Sequence, residues 1–107
     1  LYNQAADTLK RALKAAAAEP SEAQALIENA LGFSLAAQNN YSGAIRHYRS
    51  ALRAKADYPV ALNNLAFALE KQQKPEEARE AYARVLELDA ANRTALKRLK
   101  RLERLAA

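Results

Sequence analysis

The sequence holds few of the side chains that perform catalysis or bind metal ions. His47 is the single histidine and cysteine is absent, which excludes thiolate chemistry and metal sites built from several histidines. The neighbouring Arg46 and Arg49 would repel a bound cation, so we expect His47 to be an exposed helical residue. Neither a glycine-rich phosphate loop nor a serine nucleophile motif occurs. The chain is therefore predicted not to be an enzyme, and to use no cofactor or metal.

The glutamates between residues 76 and 87 are spaced as on the polar face of a helix. They alternate with Arg79 and Arg84 at separations of three or four residues, which is the spacing of ion pairs on a helix surface. We interpret this segment as a solvated helix face and not as an acid–base pair.

A repeat of 34 residues organises the chain. Residues 25–58 align with residues 59–92 without a gap, and most of the identical positions are apolar, as a repeated core requires. The nine identical pairs are Asn29/Asn63, Leu31/Leu65, Phe33/Phe67, Leu35/Leu69, Gln38/Gln72, Ala44/Ala78, Tyr48/Tyr82, Leu52/Leu86 and Ala56/Ala90.

Each repeat is predicted to be a helical hairpin. Apolar residues recur every three or four positions in two stretches per repeat, separated by polar residues at 38–40 and 72–74. Pro75, followed by two glutamates, is a favourable helix start. Because Gly 2 and Pro 3 leave few residues for tight turns, sandwiches and barrels are disfavoured and an all-α fold is expected.

These residues resemble the tetratricopeptide repeat family, whose 34-residue unit is a pair of antiparallel helices. The first repeat matches the family at Leu31-Gly32, Leu35, Ala44, Tyr48 and Ala51, and the second at Leu65-Ala66, Leu69, Ala78, Tyr82 and Val85. It departs at Glu28 and Leu62, where the family has an aromatic residue, and at Asn39 and Gln73, where it has a turn glycine. The resemblance implies a right-handed superhelical α-solenoid of about six helices.

The whole chain, residues 1–107, is expected to be a single domain. Residues 2–18 are predicted to be the second helix of a truncated repeat, followed by repeats at 25–58 and 59–92 and a basic capping helix at 93–107. The expected helices are 2–18, 22–38, 41–55, 59–72, 75–88 and 93–105. A start at Leu1 and the absence of methionine favour a piece of a longer protein.

The resemblance also implies where a partner binds. In this family the first helix of each unit lines the concave side, and we expect that side to bind an extended or helical protein segment with some acidic character. Phe33 and Phe67 either form an apolar strip in this groove or pack inward. The predicted partner-binding residues are Asn29, Phe33, Asn63, Asn64, Phe67, Lys71, Lys97, Arg98 and Arg101.

Some members of the family clamp the terminal carboxylates of chaperone tails with basic residues. At the corresponding positions of this chain only Asn64 and Arg98 match, whereas Asn29, Phe33 and Thr94 do not. A chaperone-tail adaptor is therefore disfavoured, and a scaffold or assembly factor for another partner is the leading interpretation.

The net charge of +5 lies entirely at one end of the chain. Residues 1–92 contain eleven basic and eleven acidic residues, whereas residues 93–107 contain six basic residues and Glu103 alone. This basic helix favours an acidic partner, an anionic surface or nucleic acid. Binding of nucleic acid or an anionic surface is the alternative function, although the helix lacks the interleaved aromatics of nucleic-acid binders. Self-association is a further alternative.

A second resemblance concerns small photosystem I assembly proteins of cyanobacteria and plastids. It rests on the run from Ala61 to Phe67, the exit at residues 86–89 and the Arg/Lys-rich closing helix. It implies a thylakoid-associated full-length protein with a membrane segment ahead of the repeats, in which residues 1–107 form a soluble intracellular domain.

Overall fold

The computed structural model describes residues 4, 6–11 and 20–106. Five helices follow one another after a helical stretch at 6–11: α1 (Pro20–Ala37), α2 (Tyr41–Ala54), α3 (Pro59–Lys71), α4 (Pro75–Leu88) and α5 (Arg93–Ala106). Their bounds agree with the sequence prediction to within two residues, and the described part of the chain contains no strand. The predicted helix at 2–18 is helical at residues 4 and 6–11, and its other residues lie outside the described ranges.

The first hairpin pairs α1 with α2 through a close approach at Gly32. An added Cβ at Gly32 would lie 2.6 and 2.7 Å from the Cε1 and Cδ1 atoms of Tyr48, so only glycine fits beside this ring. Ala44 is fully buried at the same contact. The small residues therefore bring the two helices together around a buried aromatic ring.

The second hairpin, α3 with α4, repeats this packing with alanine in place of one glycine. Tyr82 occupies the position of Tyr48 and is fully buried, and Ala66 and Ala78 occupy the positions of Gly32 and Ala44. The rings and their aliphatic neighbours join into one core that runs through both hairpins. Burying an aromatic side chain of this size contributes on the order of 3 kcal/mol or more to stability.

Both hairpin turns contain a left-handed residue where the family has glycine. Asn39 has a φ of 64° and Gln73 a φ of 59°. In each turn the following amide donates back to a carbonyl near the end of the first helix: Asn40 N to Leu35 O at 2.8 Å, and Lys74 N to Leu69 O at 2.9 Å. The two departures from the family pattern thus fall at the strained positions of the backbone.

The helix α5 closes the array by packing onto α4. Its buried residues are Ala95 and Leu102, and its N-terminus is capped by Asn92, whose Oδ1 accepts from the Ala95 amide at 3.0 Å. The helix therefore covers the open face of the last hairpin, as expected for a capping element.

The prediction for His47 was wrong. Its ring is half-buried, and Nδ1 lies 2.8 Å from Oε2 of Glu28 on α1. Glu28 stands where the family has an aromatic residue, and in this chain its carboxylate reaches across the hairpin. The interpretation of residues 76–87 as a solvated face was correct, since Arg79 pairs with Glu76 and Arg84 Nη1 lies 3.4 Å from Glu87 Oε2.

Candidate partner-binding groove

The first helices of the two repeats and the closing helix line a groove of about 340 Å³. The helices α1 and α3 are in contact, and α5 reaches α3 through Arg98, which lies beside Glu70. Tyrosines from α2 and α4 complete the groove wall. Its walls are apolar and aromatic with a few polar groups, the usual composition of a binding site. The lining residues are Phe33, Ala36, Ala37, Tyr41, Tyr48, Asn63, Asn64, Phe67, Tyr82, Thr94 and Arg98.

The two phenylalanines lie in this groove and not in the core. Phe33 is 53% exposed and is among the most exposed large apolar residues described, and Phe67 is half-buried. Because they occupy equivalent positions on α1 and α3, they line the same groove side by side. The alternative in which both rings pack inward is excluded.

The two asparagines that line the groove donate hydrogen bonds to other asparagines of the chain. Asn64 Nδ2 donates to Asn29 Oδ1 at 3.0 Å, and Asn63 Nδ2 donates to Asn92 Oδ1 at 3.2 Å. Asn63 Oδ1 is buried and accepts no hydrogen bond from a described residue. These amide N–H groups thus tie α3 to α1 and to Asn92, the residue that caps α5.

A charged network borders the groove at Arg98. Tyr82 donates its hydroxyl to Glu70 Oε2 at 2.5 Å, and Arg98 Nε lies 3.6 Å from the same oxygen. The guanidinium of Arg98 also lies 4.9 Å from the ring centre of Phe67, a cation–π distance. Burial raises the pKa of Tyr82, and its bond to the Glu70 carboxylate raises it further. The hydroxyl therefore stays a proton donor to Glu70.

The equivalent positions 34 residues earlier carry no charge. Tyr48 is equivalent to Tyr82, Ala36 to Glu70 and, at the start of the second repeat, Asn64 to Arg98. Burial alone raises the pKa of Tyr48 to about 12. The groove is therefore neutral at the first repeat and contains an ion pair at the second.

The remaining predicted site residues lie at or beyond the edge of the groove. Lys71 Nζ lies 5.3 Å from the ring centre of Phe67. Lys97 is exposed and is not among the lining residues. Arg101 borders a second cavity of about 370 Å³ beside Leu102 and Leu105. The structure thus brings together five of the nine predicted residues, namely Phe33, Asn63, Asn64, Phe67 and Arg98, and joins Asn29 to them through Asn64.

Sequence reasoning missed the tyrosines of the groove, which it assigned to the core alone. Tyr48 and Tyr82 are buried, yet both also line the groove wall. The sequence did contain a signal for this. Glu70 stands where the first repeat has Ala36, which places a carboxylate within reach of Tyr82.

The comparison with known families agrees with this geometry. The tetratricopeptide repeat model matches residues 35–102. The chain belongs to the tetratricopeptide repeat family. Within the described residues, no group of three or more acidic or histidine side chains could hold a metal ion, and none of the described helices has the length and hydropathy of a membrane span.

Two curated relatives share the name ycf37. That of Cyanophora paradoxa is 35% identical over 105 residues, covering 98% of this chain and 60% of its own length. That of Guillardia theta is 29% identical over 99 residues, covering 92% of this chain and 56% of its own length. This tetratricopeptide domain thus spans less than two thirds of these relatives.

Two solved tetratricopeptide domains have the same fold. The first domain of Spaghetti (RPAP3), bound to the HSP90 peptide SRMEEVD, has a TM-score of 0.84 and 24% identity, covering 99% of this chain and 83% of that one. The second domain of human RPAP3, in complex with the HSP70 peptide SGPTIEEVD, has a TM-score of 0.78 and 22% identity, covering 95% and 81%. These likenesses confirm the α-solenoid.

Proposed function

We propose that this chain is a non-catalytic protein-interaction module, a scaffold or assembly factor that binds a segment of a partner protein in the groove. The observation that supports it most is the pair of equivalent phenylalanines, Phe33 and Phe67, which line one open groove although neither is needed for the core. Both structural neighbours are of this family and hold peptide segments in their solved complexes.

The groove favours a segment with an apolar anchor. Phe33 and Phe67 offer two aromatic surfaces, and the small residues Ala36 and Ala37 leave space between the helices for a side chain. Removing such surfaces from water on binding is favourable by about 25 cal/mol per Å². In this proposal the amide oxygen of Asn64, a groove-lining residue, accepts a backbone N–H from the extended segment.

Acidic residues in the same segment would meet the cations at the rim. Lys71 Nζ lies beside the Phe67 ring and Arg101 borders the neighbouring cavity, whereas Arg98 is already paired with Glu70. Rim charges of this kind act mainly on the rate of association and on its salt dependence. The proposed partner segment therefore has an apolar anchor and an acidic flank.

The proposed partner is a component of photosystem I during its assembly, at the thylakoid membrane. Two observations support this: the likeness of residues 61–67 and of the basic closing helix to photosystem I assembly proteins, and the match of nearly the whole chain to the ycf37 relatives. The domain itself would act as the soluble, partner-binding part of the longer protein.

The test compares two exposed apolar residues in the full-length protein expressed in its own cells. Phe33→Ala removes a groove residue that is 53% exposed, and Val60→Ala removes one that is 55% exposed but does not line the groove. Copurification of photosystem I subunits should fall at least tenfold for Phe33→Ala and stay unchanged for Val60→Ala. If both variants retain the photosystem I subunits, the groove is not their binding site. If only other proteins copurify, photosystem I is not the partner.

The quantitative counterpart is the double change Asn64→Ala with Phe67→Ala, measured against the captured partner by calorimetry. We expect a loss of more than about 2 kcal/mol, the scale of an interface hot spot. A folded double variant that binds at full affinity would contradict the groove proposal. Generic RNA, titrated with salt in parallel, tests the nucleic-acid alternative, because backbone binding weakens steeply with salt.

A further inference from the structure

Four cationic side chains form a row along the outer surface of α5. Arg93, Lys97, Lys100 and Arg104 are separated by four, three and four residues, so at 3.6 residues per turn they share about 60° of the helix circumference. We call them the outer basic row. All four are exposed, and none forms an ion pair with a described residue.

The outer basic row points away from the rest of the array. Ala95 and Leu102, the buried residues of α5, lie on the opposite side of the helix, where α5 packs on α4. Arg98, which lines the groove, is about 130° around the helix from the middle of the row. The row therefore faces outward at the end of the solenoid, apart from the partner-binding groove.

The row is a straight, purely cationic surface. At 1.5 Å per residue it extends about 17 Å along α5, and no acidic or large apolar residue falls between its members on that face. Residues 1–92 are electrically balanced, so the charge of this end gives the molecule a strong asymmetry.

We propose that the outer basic row adsorbs to an anionic lipid surface. A protein partner is less suited to it, because protein interfaces need an apolar centre that this row lacks. A nucleic-acid strand winds away from a straight helix and is usually held by stacking aromatics, which are also missing. A lipid surface is flat and needs neither, since each cation adds its own attraction to the anionic headgroups.

This adsorption would orient the solenoid with its α5 end toward the membrane and its groove opening sideways. The groove would then stay accessible to a partner segment lying near the membrane surface. The row and the groove are separate surfaces, so this proposal holds or fails independently of the proposed partner.

The test uses vesicles containing about one-third phosphatidylglycerol in phosphatidylcholine, with pure phosphatidylcholine vesicles as the reference. Partitioning of the 107-residue chain is measured by cosedimentation between about 50 and about 300 mM salt. The row variant changes Arg93, Lys97, Lys100 and Arg104 to Gln. The matched control changes four other exposed cations, Lys10, Arg11, Arg46 and Arg53, to Gln and so has the same net charge. Circular dichroism confirms that both variants are folded.

We expect salt-sensitive binding to the anionic vesicles and none to the neutral ones. Each cation near an anionic surface raises partitioning roughly fivefold, so the row variant should lose about a hundredfold or more. The control should lose less than about tenfold, because its charges lie on residues 6–11 and on α2, whereas the row lies on α5, and salt screens charges held away from the surface. Absence of vesicle binding, equal losses in both variants, or a row variant that loses affinity for RNA but not for vesicles would each overturn the proposal.

Discussion

The bond from Tyr82 to Glu70 provides a sharp test of how the second repeat is stabilised. Tyr82 is fully buried and donates to Glu70 Oε2 at 2.5 Å, and the Glu70 side chain is only 15% exposed. A hydrogen bond to a charged group contributes about 1.5–3 kcal/mol, against about 1 kcal/mol for a bond between neutral groups. Tyr82→Phe removes this bond and keeps the ring, so it should lower the free energy of unfolding by about 2 kcal/mol.

The first repeat supplies the matched control. Tyr48 is equally buried at the equivalent position, but Ala36 stands where the second repeat has Glu70. Tyr48→Phe therefore removes a hydroxyl that faces no carboxylate at that position, and we expect a loss of about 1 kcal/mol or less. The difference between the two variants isolates the contribution of the charged acceptor.

The assay is urea denaturation followed by far-ultraviolet circular dichroism, with Glu70→Gln completing a double-mutant cycle. The coupling energy between Tyr82 and Glu70 should be about 1 kcal/mol or more, since the two side chains are in direct contact. Equal losses for Tyr82→Phe and Tyr48→Phe, or a coupling energy near zero, would show that the short bond does not stabilise the fold.

Three further outcomes follow from the turns, the helix contact and the buried phenols. Gln73→Gly should raise the free energy of unfolding by about 0.5–1 kcal/mol, measured by thermal denaturation. Asn39→Gly should raise it by less, because asparagine tolerates the left-handed backbone better than glutamine does. A lower free energy of unfolding for Gln73→Gly would contradict this reasoning. Gly32→Ala should cost about 1–3 kcal/mol, since its Cβ would overlap the Tyr48 ring, and an unchanged melting temperature would refute that contact. Burial raises the pKa of both Tyr48 and Tyr82, so the folded chain keeps protons that unfolded tyrosines release near pH 10. The contribution of these phenols to stability should therefore be complete below about pH 10 and fall above it. A pH series of urea denaturation midpoints checks this.

The fold was predictable because its determinants are local and repeated. A 34-residue period, apolar spacing of three or four residues and small residues at the helix crossings are all visible in the sequence, and they gave helix ends within two residues of those observed. The spacing alone did not predict that the two phenylalanines lie in the groove, because a ring on α1 could have turned toward either neighbouring helix. Their exposure and the residues that line the groove show where they lie.

Pairing between distant side chains was the part that the sequence did not reveal. His47 was expected to be exposed and instead contacts Glu28, 19 residues away, because the hairpin brings the two helices together at that level. Asn63 and Asn64 were expected to serve a partner, and their amide N–H groups instead donate to the amide oxygens of Asn92 and Asn29. Such pairings depend on the length of each side chain and on which turns of the two helices lie opposite each other. A periodic pattern does not give that alignment.

The difference between the two repeats matters most for what the groove can select. Tyr48 and Ala36 of the first repeat form a neutral wall with Asn64 of the second, whereas Glu70 of the second repeat pairs with Arg98 of the closing helix. A carboxylate from a partner would have to compete with Glu70 for Arg98, and would lose the stacking of that guanidinium on Phe67 if it pulled Arg98 away. The interior of the groove is therefore better suited to an apolar side chain than to a terminal carboxylate. Acidic residues of a partner gain more at the rim, where Lys71 and Arg101 have no carboxylate of a described residue held against them.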